Sequence, residues 1–473
     1  MMTETFYSQW QTVRRVQCVE ETGSGPPPER VLQALWQRQY LDRQTLCTLE
    51  ERPVRVLHPG FWNHEAGPDF QSAVIRFGEE PPISGPVEID LRSADWRAHG
   101  HASNPAFAGV ILHVVWEGPA KTPLPTLALQ PHLAAGWEKV TPMQTLPTEF
   151  AGRCHAPLVS MPETDKNELL KQAATARLQA KAHSLIQMAR ENGWEAALMQ
   201  GLFRALGYKH NIWPMQYLAD QWATLQELPP TDATGWQARL LGMAGWLTDD
   251  ECHYTVAARN HLQWLWHHWW RERDALEQGM LPRSIWRLGG LRPANHPIRR
   301  LVLLAHWLAA GDLVSRLESW MQMECPATRL VASLGKQLIV PSTEFWDRHW
   351  TFRSPRQERV CPLLGEARVT DLAVNVILPW FYARAQMGRN RSVLSRVMSR
   401  YFQWPAAQDN AVLKLARERL LGGAWRLKGA VQQQGVLQIV RDFCDHASAT
   451  CEDCSFPDLV QSWPRERGDI TDS

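Results

Sequence analysis

Two carboxylates stand one residue apart in a run that otherwise reads as a buried strand, Val87-Glu88-Ile89-Asp90-Leu91-Arg92. Side chains alternate along an extended chain, so Glu88, Asp90 and Arg92 share one face, and Val87, Ile89 and Leu91 the other. A carboxylate taken out of water is costly unless it is paired or bound to a cation. A third acid, Asp69, follows Gly67-Pro68 at the mouth of another strand, Phe70 to Phe77. We expect a divalent metal to be the reason. An Asp and a Glu from neighbouring strands suit Mg or Mn, whose other positions go to water and phosphate oxygens. Such an ion polarises a phosphodiester and activates water.

In this reading Asp69 and Glu88 ligate the metal, Asp90 joins them, and Arg92 steadies a transition-state phosphate. Arginine does not deprotonate, so proton transfer falls to His99 or His101. The pair His99-Gly100-His101 shares its block with His58, His64 and His113. Two imidazoles at this spacing reach one ion from an extended loop. They support a further reading, a metal hydrolase acting on a small substrate, if both face one cavity together with a carboxylate. His113, inside the apolar run Val110 to Trp116, is expected to be a satisfied core histidine. The plainer reading keeps these polar groups in turns: Asp69 bonding loop amides, as Asp after Pro commonly does, and Asp95 capping a helix.

Around this block the order is helix (Glu29 to Tyr40), strand (Pro53 to Leu57), strand (Phe70 to Phe77) and strand (Val87 to Leu91). A short helical segment over Asp95 to His99, capped by Ser93, and a central strand, Val110 to Trp116, complete it. That order gives a small mixed α/β sheet. Residues 1–28 are polar, end in Gly-Ser-Gly-Pro-Pro-Pro and are expected to form a flexible leader. Residues 29–145 would be the α/β domain and 146–160 a linker within a proline-rich stretch. Residues 161–473 would be an irregular α-helical domain, its first helix opened by a capping box at Asp165 and Glu168. The fold class is therefore α+β.

At 473 residues with 44% hydrophobic and 21% charged residues, the chain has ample core for more than one domain. A net charge of +1 neither requires nor excludes nucleic acid; residues 1–145 are net acidic and the remainder net basic, so phosphate contacts would fall downstream. The N-terminus lacks a basic and then apolar signal pattern. The longest apolar stretch, near Leu301 to Ala310, is about half a bilayer span, so no membrane association is expected. Nine cysteines, mostly scattered, suit a reducing cytoplasm.

Cys444, Cys451 and Cys454 form the one cysteine cluster in the sequence. A C-x2-C knuckle with a nearby third sulfur begins a structural Zn or Fe–S site; His446 is in reach as a fourth ligand, and Cys154 is a distant candidate. The tryptophans at 264, 266, 269 and 270 can serve helix packing or stack nucleobases, and packing is the expected use. The arginines between 287 and 300, and Arg389, Arg391, Arg396 and Arg400, read as solvated faces, with phosphate binding as the alternative.

Pro68-Asp69 and Glu88-Ile89, a hairpin apart, resemble the PD-(D/E)xK nucleases, which place Pro-Asp on one strand and Glu-x-Lys on the next; here Asp90 stands where they have lysine. Over nearly its whole length the chain is also similar to a bacterial family, domain of unknown function 2851. That resemblance rests on His58-Pro59-Gly60, Ala66 to Phe70, Val87-Glu88-Ile89, Ser93 to Trp96 with His99-Gly100-His101, and Ile111 to Val115. It extends to Gly242 to Leu247, Leu291 to Asn295 and the C-terminal cysteines. The family's pattern carries histidine two residues after the strand glutamate, where this chain has Asp90, and it implies no activity. The expectation is thus a metal-dependent nuclease acting on nucleic acid, and the alternative a non-catalytic scaffold that binds protein or nucleic acid.

Overall fold

Alternation and helical periodicity place a small mixed sheet in the N-terminal part and a large helical region after it, and the computed structural model has this α+β arrangement. It describes residues 5–11, 27–42, 45–63, 67–118, 123–134, 152–208, 211–247, 254–289, 291–341, 343, 345–408, 411–421, 425–444 and 454–464. Two compact units emerge: Met1–Ala176 with Asp409–Arg426 and Gln432–Ser473, and Arg177–Gln408 with Leu427–Val431. The described part of the proline-rich stretch before residue 160 lies inside the first. Residues 6–11, within the expected leader, are helical. No described helix is long and apolar enough to cross a membrane.

In the first unit, helix α1 (Glu29–Arg38) precedes strands β1 (Val54–His58), β2 (Phe61–Trp62), β3 (Phe70–Phe77) and β4 (Ile83–Arg92). A single-turn helix, α2 (Asp95–Ala98), and two short 3-10 turns then lead to β5 (Leu112–Glu117) and β6 (Thr126–Ala128). The sheet runs β1-β3-β4-β5-β6, with β2 also paired to β3. Its first half is antiparallel, and β4, β5 and β6 are parallel. Strand β5 is flanked on both sides, which fits its largely apolar sequence.

One face of the sheet makes the main core. Val87 and Ile89 of β4, Leu112 and Val114 of β5, and Phe70 and Ile75 of β3 pack with Leu32, Leu35 and Trp36 of α1. Residues three and four apart share a helix face, so these three α1 side chains form its buried stripe. Trp36 is anchored at its polar end, where Nε1 donates to the Pro59 carbonyl at 2.8 Å. The next residue, Gly60, has φ +93°, and a Cβ there would meet Phe70 Cβ at 2.9 Å. Only glycine passes so close to the strand in this conformation. The opposite face carries Glu88, Asp90 and His113, beneath a small cluster of Trp96, Phe107 and Val110.

Local differences from the sequence reading have local causes. Strand β4 starts at Ile83, earlier than expected, because Ile83, Ser84 and Gly85 continue the pairing with β3. Ser93 does not occupy the cap of α2; Ala94 does, with no side-chain cap bond. Asp165 lies in the first turn of a helix that begins at Glu163 and runs to Leu206, with a break at Gly193, φ 84°.

The second unit is helical. Its most buried helix, Pro297–Ala310, carries two arginines that sequence alone places on a solvated face. Arg299 donates to the carbonyls of Trp346, His349, Cys361 and Pro362 at 2.6 to 3.0 Å. Arg300 donates to the carbonyls of Leu363 and Ala294. Arg400 likewise serves the carbonyls of Trp320 and Met323. These guanidinium groups bind backbone oxygens at a helix end and in irregular segments, a closed internal use. In the helix Val256–Leu276, Trp269 is buried as expected for packing, whereas Trp264 and Trp270 are exposed.

Candidate metal centre

Parallel pairing of β4 with β5 sets Glu88 opposite His113 and Asp90 opposite Val115. Antiparallel pairing of β3 with β4 brings Asp69, just before β3, beside Glu88. The Asp69 amide donates to Glu88 Oε2 at 2.9 Å, and the Ile89 amide to Asp69 Oδ2 at 3.2 Å. A bulge between Phe70 and Ala73 follows at once. Bulges re-aim side chains near functional sites.

Asp90 is the hub. It is 1% exposed, and its Oδ2 accepts from His113 Nε2 at 2.9 Å. His113 is completely buried, so the strand histidine is a core residue that holds Asp90. The other oxygen, Oδ1, lies 3.0 Å from His99 Nδ1 and 4.0 Å from His101 Nε2. His101 Nε2 is also 3.2 Å from Glu88 Oε1. Donor atoms of Asp90, His99 and His101 all lie within 4.8 Å of one another.

Gly100 makes this convergence possible. Its φ of +77° turns the chain between α2 and the 3-10 turn His101–Ser103, so that both imidazoles approach Asp90. Phe107 stacks on the His101 ring at 4.1 Å, and Trp96 meets it edge-on at 5.5 Å. The two rings fix His101 and leave His99 half exposed, at 50% for its side chain.

Two residues of the site lie outside the sequence reading. Gln33 of α1 donates through Nε2 to Asp69 Oδ1 at 2.9 Å and to Glu29 Oε1 at 3.3 Å. Glu29 and Gln33 are one turn apart at the edge of the apolar stripe. Two polar residues bordering Trp36 at helical spacing were the available signal.

Four carboxyl groups therefore meet here, and among the described residues no lysine or arginine bonds to Asp69, Glu88 or Asp90. Burial pushes Asp69 up to about 7, with Glu29 and Asp90 adding to it. Burial, then the charges of Asp69, Asp90 and Glu29, push Glu88 up to about 9. Burial also raises Glu29, with Asp90 contributing, and it lowers His101. A neutral imidazole is the form that ligates metal. A cation placed among these acids would reverse the carboxyl shifts.

Of the expected site residues, Asp69, Glu88, Asp90, His99 and His101 are thus brought together. Arg92 is not: its side chain is exposed, and its amide donates to Asp95 Oδ2 at 2.9 Å. That bond ties the strand end to α2, in place of the helix cap expected of Asp95. His58 is buried and accepts the Gly60 amide through Nδ1; His64 lies outside the described residues. Of the C-terminal cysteines, Cys444 and Cys454 are described, and Cys451 and His446 are outside.

Comparison with known proteins gives one match: the family model "Protein of unknown function (DUF2851)" covers residues 29–410. No curated protein and no solved structure matches the chain.

Proposed function

The chain belongs to the DUF2851 family, and from its site we propose a divalent-metal-dependent hydrolase that cleaves phosphodiesters. The observation that carries the reading is the Asp90–His99–His101 group, gathered within 4.8 Å amid carboxyl groups to which no described lysine or arginine bonds. Two imidazoles with a carboxylate suit zinc or manganese better than magnesium, which prefers an all-oxygen shell. Asp90, His99 and His101 would hold the ion, and Glu88 would stand at its edge. The ion's contribution would be to polarise a substrate oxygen and acidify a bound water.

The protein groups have separable tasks. His113 orients Asp90 from behind, as the outer partner of a ligand does. Glu88 carries a raised carboxyl beside His101, which suits it to exchange protons with the reacting water. Asp69 has both oxygens engaged, by Gln33 and by the Ile89 amide, and clamps β3 to β4. Half-exposed His99 is the route by which substrate would reach the ion.

The phosphodiester assignment is supported by the order helix, strands, short helix, strand, with Pro68-Asp69 and Glu88 on paired strands, the arrangement that resembles PD-(D/E)xK nucleases. Calorimetric titration of chelator-stripped protein with Zn²⁺, Mn²⁺ and Mg²⁺ tests the centre, with His99→Ala alongside. Binding near one equivalent that is lost in His99→Ala is expected, followed by metal-dependent cleavage of DNA, RNA or an aryl phosphodiester. Absence of binding by all three ions would overturn the centre. Binding without cleavage would leave a metal-held scaffold and overturn the hydrolase.

A further inference from the structure

Among the described tryptophans only Trp264 and Trp270 are exposed, at 61% and 56%. Both belong to the helix Val256–Leu276, whose inner face is formed by Ala258, Leu262, Leu265, Trp269 and Leu276. Six residues apart, the two indoles are separated by about 9 Å along the axis and turned by roughly 120° about it. They therefore flank the outer face, and Asn260, Gln263, His267 and Arg271, all exposed, lie between them. Each indole is braced by a neighbour: Trp264 meets His268 edge-on at 6.4 Å, and Trp270 lies 5.5 Å from Trp266. An indole kept out of the core forgoes a large hydrophobic gain. Packing explains Trp269 and leaves these two without a use.

The surroundings are basic. From Val256 to Arg273 the helix carries three arginines and one acid, and that acid, Glu272, pairs with buried Arg239 at 2.6 Å. Acids return only at Asp274, in the last turn. Arg271 donates to His267 Nε2 at 2.7 Å, which holds its guanidinium on the outer face. On the Trp264 flank, His261 stacks on Phe345 at 4.4 Å and Tyr254 meets Phe352 edge-on at 6.5 Å. A turn-rich segment thus packs beside the first half of the helix, and its Arg353 lies over the Tyr254 ring at 5.6 Å. Residues 348–359 of that segment hold four arginines and one acid, with Arg353, Arg356 and Arg359 exposed.

We propose that this face binds single-stranded nucleic acid, with bases stacked on Trp264 and Trp270 and phosphates met by Arg259, Arg271 and Arg353. Aromatic platforms set among cations are the means by which proteins hold single strands without reading their sequence. A duplex keeps its base faces inside and offers the indoles nothing to stack on. A membrane-surface helix needs a continuous apolar outer face, and the apolar face of this helix is turned into the core. The centre of a protein interface is depleted of charge, whereas polar and charged side chains separate these two indoles. The surface uses no residue of the metal centre, so it stands whether or not that centre cleaves.

The test is fluorescence anisotropy of the full chain with labelled oligothymidylate of about 20 nucleotides, longer than ordinary single-strand sites, and with the matching duplex. Chelator in every sample removes metal from the sheet site, so failure here and failure of the hydrolase are read separately. Binding of the single strand that weakens with salt is expected, with the duplex bound roughly 5-fold or more weakly. Trp264→Ala and Trp270→Ala should each weaken it by roughly 5-fold or more, and the exposed, remote Ile339→Ala should not. Equal affinity for strand and duplex, full affinity in the double alanine variant, or no binding at ~100 µM protein and low salt would overturn the proposal. So would capture of the chain by phosphatidylglycerol–phosphatidylcholine vesicles that the strand does not compete away. Should the alanine variants not fold, photo-crosslinking of an iodouracil-substituted strand to the wild type decides. Adducts on Trp264 or Trp270 support the surface, and adducts elsewhere, or none, overturn it.

Discussion

The sheet unit and the helical unit both bury charge, and they do so in opposite ways. Arg299 spends its guanidinium on four backbone carbonyls and lies over the Trp350 ring, with its centre 4.7 Å from the centroid. It ties together a segment with little regular structure of its own. Glu88 and Asp90 are as deeply buried, yet they bond to histidines and an amide, with the charges of other acids close by. The arginine's environment supplies acceptors to both of its terminal nitrogens; the carboxylates' environment leaves theirs in need of a cation. A buried charge with its partners built in reads as structure, and one crowded by other acids with no lysine or arginine beside it reads as a binding site.

The sharpest way to break this contrast is to remove a charge from each region. Arg299→Met should cost on the order of 4 kcal/mol, because several buried carbonyls lose their donor together; chemical denaturation would measure it. In the metal-free protein, Glu88→Gln should cost nothing or stabilise, since it removes an acid that burial disfavours. Equal losses in the two variants would erase the distinction.

Acid and base should separate the regions next. Burial lowers His261 and His296 to about 4, so both are neutral in the fold. As pH falls from the usual histidine range towards 4, the unfolded chain takes up protons that the fold refuses, and stability drops. The ceiling is on the order of 3 kcal/mol per histidine. Asp69 and Glu88 have raised values, so with chelator present their effect runs the other way. Stability is lost as pH rises from the ordinary carboxyl range through about 7 and about 9. Thermal melts across pH, with and without metal, would check both signs, and metal should abolish the loss at high pH.

Smaller effects probe the site alone. Asp90→Asn should weaken metal binding by ~100-fold, or ~2.7 kcal/mol, and His113→Leu by ~10-fold, as expected for an outer partner. Equal losses would make His113 a ligand in its own right. Gly100→Ala should cost ~1 kcal/mol from its positive φ alone, since a Cβ there meets nothing within 4 Å. It should weaken metal binding to match if that turn sets the two histidines.

Strand β3 was legible to the residue because alternation and a proline–aspartate start mark it, and the Glu88–Asp90 pair stood out on the same ground. The histidine pair was visible because a single residue, Gly100, separates its members. Gln33 and Glu29 were not, since their meeting with Asp69 depends on where a helix crosses a sheet edge, which local periodicity does not encode. Arg299 was misread for a related reason: the carbonyls it serves belong to an irregular segment about fifty residues on. The π turn at Ala373–Ile377 was equally invisible, because its sequence reads as continuous helix.

Strands β4 and β5 run parallel, so the chain must cross over the sheet to pass from one to the other, and His99 and His101 lie on that crossing. The centre therefore has a place in time as well as in space. Asp69, Glu88, Asp90 and the histidine pair all leave the ribosome before His113, yet Asp90 is not held until β5 has docked beside β4. Pairing distant in sequence is the slow part of folding. Metal affinity should therefore appear late, and an ion bound here would report that the crossover has closed.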